Sequence, residues 1–275
     1  VVSPQGGPPE TWAIRIEEVL KEKSGFACRL TMVGDSGLVK LIKEARSRGA
    51  HRIMAVGDAE FVRWMAQAMM GSLMPLAPVL IPGSTPIFGH VAITSSNWKG
   101  HIDSLLFGRF LKLDMAMGTS LPMVHQLLAG FPISGGKAEW RPLAALFGSD
   151  RLNLSVEVDR ARVEGEYWCL VVANADLPAQ SVRWLPGSNW TDQCLDLMLV
   201  KPRSFWQRFK FLRAVRRGTH GGLPGVIRFR GRRITIRSEQ PWQYAADGGP
   251  NLNAADPLIL EAKPEKLRLV VTGDI

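Results

Sequence analysis

The stretch RIMAVGDAEFVRWMAQAMM, Arg52 to Met70, decides the reading of the chain. Arg52 to Val56 is a short strand, Gly57 breaks it, and Asp58 to Met70 continues as a helix. A strand running through a glycine turn into a helix is half of a βαβ unit, and the flanking sequence repeats it. Upstream, Pro8-Pro9-Glu10 opens a helix on which Trp12, Ile16, Val19 and Leu20 share a face and which Gly25 ends. A strand over Cys28 to Val33 follows, then Gly34-Asp35-Ser36 and a helix over Leu38 to Arg48 stopped by Gly49. Downstream, Pro78 to Ile81 is a further buried strand. Strands and helices alternating at this spacing predict an α/β lobe, doubly wound on a mostly parallel sheet, whose ligands sit at the strand C-terminal ends.

Beyond about Arg109 the texture changes to short strands with Gly-rich turns: Leu152 to Val158, Tyr167 to Ala173, Leu195 to Val200, Gly225 to Arg230, Arg233 to Ser238, Pro257 to Ala262 and Leu267 to Thr272. A helix over Ser204 to Arg217 interrupts them. This predicts an antiparallel β-sandwich as a second lobe. The division is residues 1–108 and residues 109–275, with a return of the last strand to the first lobe left open.

Lys and Arg number 34 against 25 Asp and Glu, a net charge of +9, which favours an anionic partner: nucleotide phosphates, an acidic membrane surface or nucleic acid. Cys28, Cys169 and Cys194 are scattered without ligand spacing, so neither a zinc site nor a disulfide framework is expected, and a reducing, cytoplasmic setting is the default. Val1-Val2-Ser3-Pro4 does not read as a signal peptide. The most apolar stretch, Ala66 to Pro82, is broken by Gly71, Pro75, Pro78 and Pro82, so no transmembrane segment is expected and any membrane contact is peripheral.

Six landmarks in order carry a resemblance. Ser3-Pro4-Gln5-Gly6-Gly7 is similar to an Asn-Pro-x-Ser-Gly turn, and Thr31-Met32-Val33-Gly34-Asp35-Ser36 to Thr-x-x-Gly-Asp-Ala. Val56-Gly57-Asp58-Ala59-Glu60 stands for Gly-Gly-Asp-Gly-Thr, and Pro82-Gly83-Ser84-Thr85-Pro86-Ile87-Phe88 for Pro-x-Gly-Thr-x-Asn-Asp. Asn174 with Asp192-Gln193-Cys194-Leu195-Asp196 resembles a second-lobe Asn and an Asp-Gly-x-Leu-Asp motif, and Asp247-Gly248-Gly249 an Asp-Gly-Glu. The chain thus resembles the diacylglycerol kinase and sphingosine kinase catalytic-domain family of bacterial-type lipid kinases. The resemblance implies an active site in a cleft between two lobes, with ATP, magnesium and transfer of the γ-phosphoryl to a lipid alcohol. It assigns nucleotide contacts to Thr31, Gly57, Asp58 and Thr85, a magnesium-associated role to Asp192, and a catalytic segment to Asp247 with the general-base position at Gly249.

The departures predict impaired or lost phosphoryl transfer, a pseudoenzyme of the family. Glycine-rich turns bring backbone N–H groups to phosphates, but here Val56 and Ala59 replace two turn glycines and Glu60 adds a carboxylate. Ser84 and Ile87-Phe88 alter the second loop, and Gly249 offers no proton acceptor, a function worth about 10²–10⁴-fold. Each retained residue also fits a local role: Asp58 as a helix N-cap, Thr31 and Thr85 in strand-end turns, Asp192 and Asp247 in ordinary turns.

The densest cationic feature runs from Phe205 to Arg217. Phe205, Phe209, Leu212 and Val215 recur at helical spacing, which predicts a helix packed on the sandwich with a solvated basic face; the alternative is a surface that settles on anionic lipid. Arg228 to Arg237 carries no recognised nucleic-acid motif, and no nucleic-acid partner is expected. The second functional reading is therefore a non-catalytic module that holds lipid, nucleotide or protein by the old cleft or the basic surface.

Overall fold

The computed structural model describes residues 9–24, 37–80, 93–94, 102–118, 122–123, 126–130, 151–176, 183–201, 204–247 and 251–270. It divides into two units, Val1–Leu113 with Glu265–Ile275, and Asp114–Pro264. In the first unit the order is α1 (Pro9–Ser24), α2 (Leu38–Ser47), β1 (Ile53–Gly57), α3 (Ala59–Ala68), β2 (Leu76–Leu80), β3 (Ile93–Thr94) and α4 (Ile102–Phe107). β1 pairs β2 in parallel from Ile53↔Leu76 to Gly57↔Leu80, and β2 pairs β3 in parallel. Parallel neighbours require a crossover, and α3 supplies it while packing on both β1 and β2. Val56, Ala77 and Val79 bury with Ile16 of α1, Ile102 of α4 and Val270, so the sheet is covered as a parallel sheet must be. The strand expected over Cys28 to Val33 lies outside the described residues.

β4 (Phe110–Gly118) leads to the second unit, which continues with β5 (Pro122–Met123), β6 (Gln126–Ala129), β7 (Leu152–Val158), β8 (Ala161–Tyr167), β9 (Cys169–Ala173), β10 (Leu195–Val200), α5 (Phe205–Arg217), β11 (Val226–Gly231), β12 (Arg233–Arg237), β13 (Gln243–Ala246), β14 (Asn251–Asn253) and β15 (Leu258–Val270). One antiparallel sheet has the order β11-β10-β9-β6-β13-β14. The facing layer is β15-β12-β7-β8, also antiparallel. Between them lies an apolar core in which Leu154, Val156, Leu170, Val172, Leu195, Leu197, Ile234, Ile236 and Leu260 meet. The expected α/β lobe and antiparallel sandwich are both present.

Strand alternation explains why α5 exists. Residues of β9 and β10 that do not enter the core, Cys169, Val171, Ala173, Met198 and Val200, form the opposite face and bury against Phe211, Leu212 and Val215 of the helix. Phe211 stands edge-on to Trp168 at 5.7 Å and to His220 at 5.7 Å. Arg208 lies over Trp168, its guanidinium carbon 5.1 Å from the ring centroid. The helix is anchored at both ends. A capping box joins Ser204 and Gln207, and Gly218 closes the last turn at φ 69°. Just beyond it the His220 Nε2–H donates to Trp184 O at 2.6 Å. Burial holds that imidazole's pKa below its ordinary value.

Three expectations need correction. The inward stripe of α5 is Arg208, Phe211, Leu212 and Val215, while Phe205 and Phe209 are exposed. Both stripes contain Leu212 and Val215; the aromatic site formed by Trp168 and His220 selects Phe211. Tyr167 to Ala173 is not one strand, because the chain leaves β8 at Tyr167, turns through the buried Trp168 and enters the other sheet as β9. The two strands expected over Pro257 to Ala262 and Leu267 to Thr272 are joined: among the described residues Leu258–Val270 is one strand, β15, which passes a positive φ of 51° at Glu265. Its end returns to the first unit, where Leu269 pairs Leu76 in parallel.

Replacing Phe211 with Ala removes a ring with no exposed surface between sheet and helix. The expected loss is about 3–5 kcal/mol, read from the denaturant midpoint with the m-value unchanged. A loss under about 1 kcal/mol would mean that α5 does not cover this face in solution.

Candidate functional site

The turn between β1 and α3 is shaped by contacts within the chain. Asp58 is the N-cap of α3, its Oδ1 accepting the Phe61 backbone N–H at 2.8 Å. One of the orphan donors that make a helix N-terminus attractive to anions is therefore filled by a carboxylate of the helix itself. Gly57 has an internal reason too: a Cβ there would stand 2.5 Å from Cδ1 of the buried Phe61 ring. Val56 departs from the crowding expected of it, since its side chain is buried in the sheet–helix core. The side chains of Ala59 and Glu60 lie outside the described residues, as do Thr31 and Thr85.

In the second unit, a loop before β10 is held from several sides. The Gln193 backbone N–H donates to Asp114 Oδ2 at 2.5 Å, the Asp114 N–H to Trp190 O at 2.7 Å, and the Asn174 side-chain amide to Asp114 O at 2.6 Å. Asn174 and Asp114 are both buried. Asn189 Oδ1 accepts from the Thr191 backbone and hydroxyl at 3.1 and 2.9 Å. Within this frame Asp192 Oδ1 accepts the Cys194 N–H at 2.9 Å, and its carboxylate forms an ion pair with Arg230 of β11. The structure thus brings together Asn174, Asp192 and Asp114. Asp114 was missed in the sequence. Its signal was a lone acidic residue inside the apolar run Leu113-Asp114-Met115-Ala116, where a buried carboxylate must find donors.

Gln193, at the position of the motif's glycine, has φ 61° and so carries a side chain in the left-handed region. Asp196, two residues beyond Cys194, is buried. Burial raises its pKa, opposed by a hydrogen bond from Ser188 and the charge of Arg228. Asp247 ends β13, buried and also at positive φ, 51°. Gly248 and Gly249 lie outside the described residues.

Magnesium requires several oxygen ligands in near-octahedral order. The described residues do not meet that need: Asp192 is taken by a guanidinium and a backbone N–H, and among them no group of three His, Cys, Asp or Glu could hold an ion. Among the described residues no helix is long and apolar enough to cross a membrane.

A parallel-sheet unit with helices and an antiparallel sandwich define the diacylglycerol kinase fold. A putative diacylglycerol kinase from Bacillus anthracis str. Sterne superposes with a TM-score of 0.75 at 15% identity, covering 98% of this chain and 95% of that one. An NAD kinase from Archaeoglobus fulgidus in complex with ATP gives 0.60 at 13% identity, over 94% and 88%. Residues 136–271 match the YegS C-terminal NAD kinase beta sandwich-like domain. The putative lipid kinase YtlR of Bacillus subtilis (strain 168) is 24% identical over 111 residues, 40% of this chain. That match spans about a third of the relative's length, 35%. The domain match covers just under half of the chain, and over nearly its whole length the chain is similar in fold to diacylglycerol kinases.

Gln193→Gly is expected to stabilise the protein by about 0.5–1 kcal/mol, the relief of a left-handed side chain less the added chain entropy. A loss in urea unfolding would show that the Gln193 side chain itself is needed. For Asp196 the folded pKa is raised, so its contribution to stability is fully present below the ordinary carboxylate range and is lost as pH rises through the folded value. Asp196→Asn should therefore raise the melting temperature at pH 7.5, with the gain shrinking toward pH 4. A lower melting temperature at pH 7.5 would mean that the contacts with Ser188 and Arg228 outweigh burial.

Proposed function

We propose that this chain is a lipid kinase-family protein whose phosphoryl transfer is impaired or lost. The observation that carries the reading is the Asp192–Arg230 ion pair. In phosphoryl transfer the protein's contribution is positioning and neutralisation of phosphoryl charge, by metal ions and cationic groups aimed at the phosphates. Here the acidic loop related to magnesium by resemblance is neutralised by a strand residue of the same unit, and the guanidinium is committed to the carboxylate. Two further features support the reading. The α3 N-terminus is already capped by Asp58, and glycine at 249 supplies no carboxylate to accept the proton of a lipid hydroxyl. ATP and a lipid alcohol remain the ligands to test, since the fold is that of kinases.

A second reading, a peripheral module that holds an anionic lipid surface without chemistry, is favoured by the exposed aromatic residues beside the cations of α5.

Purified protein, incubated with radiolabelled ATP, magnesium and mixed micelles containing diacylglycerol, should give no labelled lipid above a blank. Millimolar magnesium-ATP should leave the melting temperature unchanged, whereas saturation to about 100 times a dissociation constant would add about 2.7 kcal/mol. Robust turnover would overturn the reading and point to a base outside the Asp247 segment.

A further inference from the structure

The outward side of α5 presents a combination that neither the sandwich nor catalysis uses. With Arg208, Phe211, Leu212 and Val215 turned inward, the helical period turns Trp206, Lys210, Arg213 and Arg217 to the opposite side, flanked by Phe209 and Phe205. Trp206 is 70% exposed, Phe209 47% and Phe205 44%. The helix carries five cations, Arg208, Lys210, Arg213, Arg216 and Arg217, and no acidic residue. Among the described residues, Lys210, Arg213 and Arg217 make no ion pair, whereas cations elsewhere do, as at Lys112–Glu265 and Arg151–Glu166.

We propose that this face of α5 docks on an anionic phospholipid bilayer, lying in the plane of the headgroups with the helix axis parallel to the surface. Charge complementarity selects the partner. A row of uncompensated cations seeks a negative surface, and a Trp and two Phe interleaved with them suit the boundary where rings enter acyl chains while Lys and Arg stay among phosphates. Thirteen residues make a helix of about 20 Å, long enough to lie on a bilayer and too short to cross one. The inward half is already committed to Trp168 and the sheet, so the rigid sandwich holds the outward half ready. Docking then costs little ordering of the backbone. Single-stranded nucleic acid would use similar residue types and is the main competitor. The aromatics here cluster in the first half of the helix, so they form an apolar spot for insertion rather than a succession of stacking platforms along a strand.

The inference deepens the lipid-facing reading without depending on catalysis, and the test keeps the two apart by using vesicles that contain no diacylglycerol and no nucleotide. Sedimentation with vesicles of phosphatidylserine and phosphatidylcholine should pellet the natural chain, and vesicles of phosphatidylcholine alone should not. Each cation near an anionic surface is worth about fivefold in partitioning, so Lys210→Glu, Arg213→Glu and Arg217→Glu together should lower binding at least on the order of a hundredfold. Trp206→Ser with Phe209→Ser should remove the portion of binding that survives 0.5 M salt, where screening at about 4 Å leaves mainly insertion. These side chains are exposed, so unchanged melting of both variants serves as the folding control. Equal vesicle binding by the triple variant, equal binding to neutral vesicles, or tighter binding to a single-stranded oligonucleotide than to anionic vesicles would each overturn the proposal.

Discussion

Strands Cys169–Ala173 and Leu195–Val200 turn neither face to water, and the second unit is organised around that constraint. A strand with one wet face can alternate polar with apolar residues; one covered on both sides needs two separate coverings. The sandwich supplies the first through the β7, β12 and β15 layer, and α5 supplies the second. The helix is therefore required by the sheet, and its sequence has two obligations: an inward stripe that fits Trp168 and His220, and an outward stripe under no packing restraint. Its cations and exposed aromatics accumulate where packing leaves the choice free.

The same constraint explains the acidic residues nearby. Asp196 alternates with apolar neighbours on a strand with no wet face, so its carboxylate meets low dielectric and relies on Ser188 and Arg228. Asp192, at the loop just before the strand, is met by Arg230 from the neighbouring strand. Asp114 closes the frame by accepting from the loop backbone. Carboxylates that the family's motif would associate with a ligand are here satisfied by side chains and backbone of the same chain.

The fold class was legible because it rests on local patterns: strand-to-helix alternation before about residue 109, and short strands afterwards. Asp58 as a cap was legible from residue type and position. What escaped the sequence depends on three-dimensional neighbours. Phe209 and Phe211 are equally apolar, and only the aromatic site beneath the helix decides which one enters. The sheet change at Trp168 falls inside the unbroken run from Tyr167 to Ala173, which carries no glycine or proline to mark it. The two strands expected up to Ala262 and from Leu267 leave Pro264 and Glu265 between them, yet β15 runs through both with a left-handed residue. At the site, the motif order could be recognised, but Arg230 as the partner of Asp192 could not. The pairing is set by the register of β10 with β11, Asp196 opposite Arg230, which brings that arginine beside the end of the loop.

The guanidinium at Asp192 also bears on how the loop responds to its surroundings. A carboxylate neutralised by a bound ion is ordered only as far as that ion is supplied, so a chelator or a change in ionic composition alters its shape. A carboxylate neutralised by a residue of the next strand carries its counter-charge through folding, and the two are made in a fixed one-to-one ratio. The Asp192–Arg230 pair joins the loop from Asn189 to Cys194 to β11 through a counter-charge that the chain itself supplies.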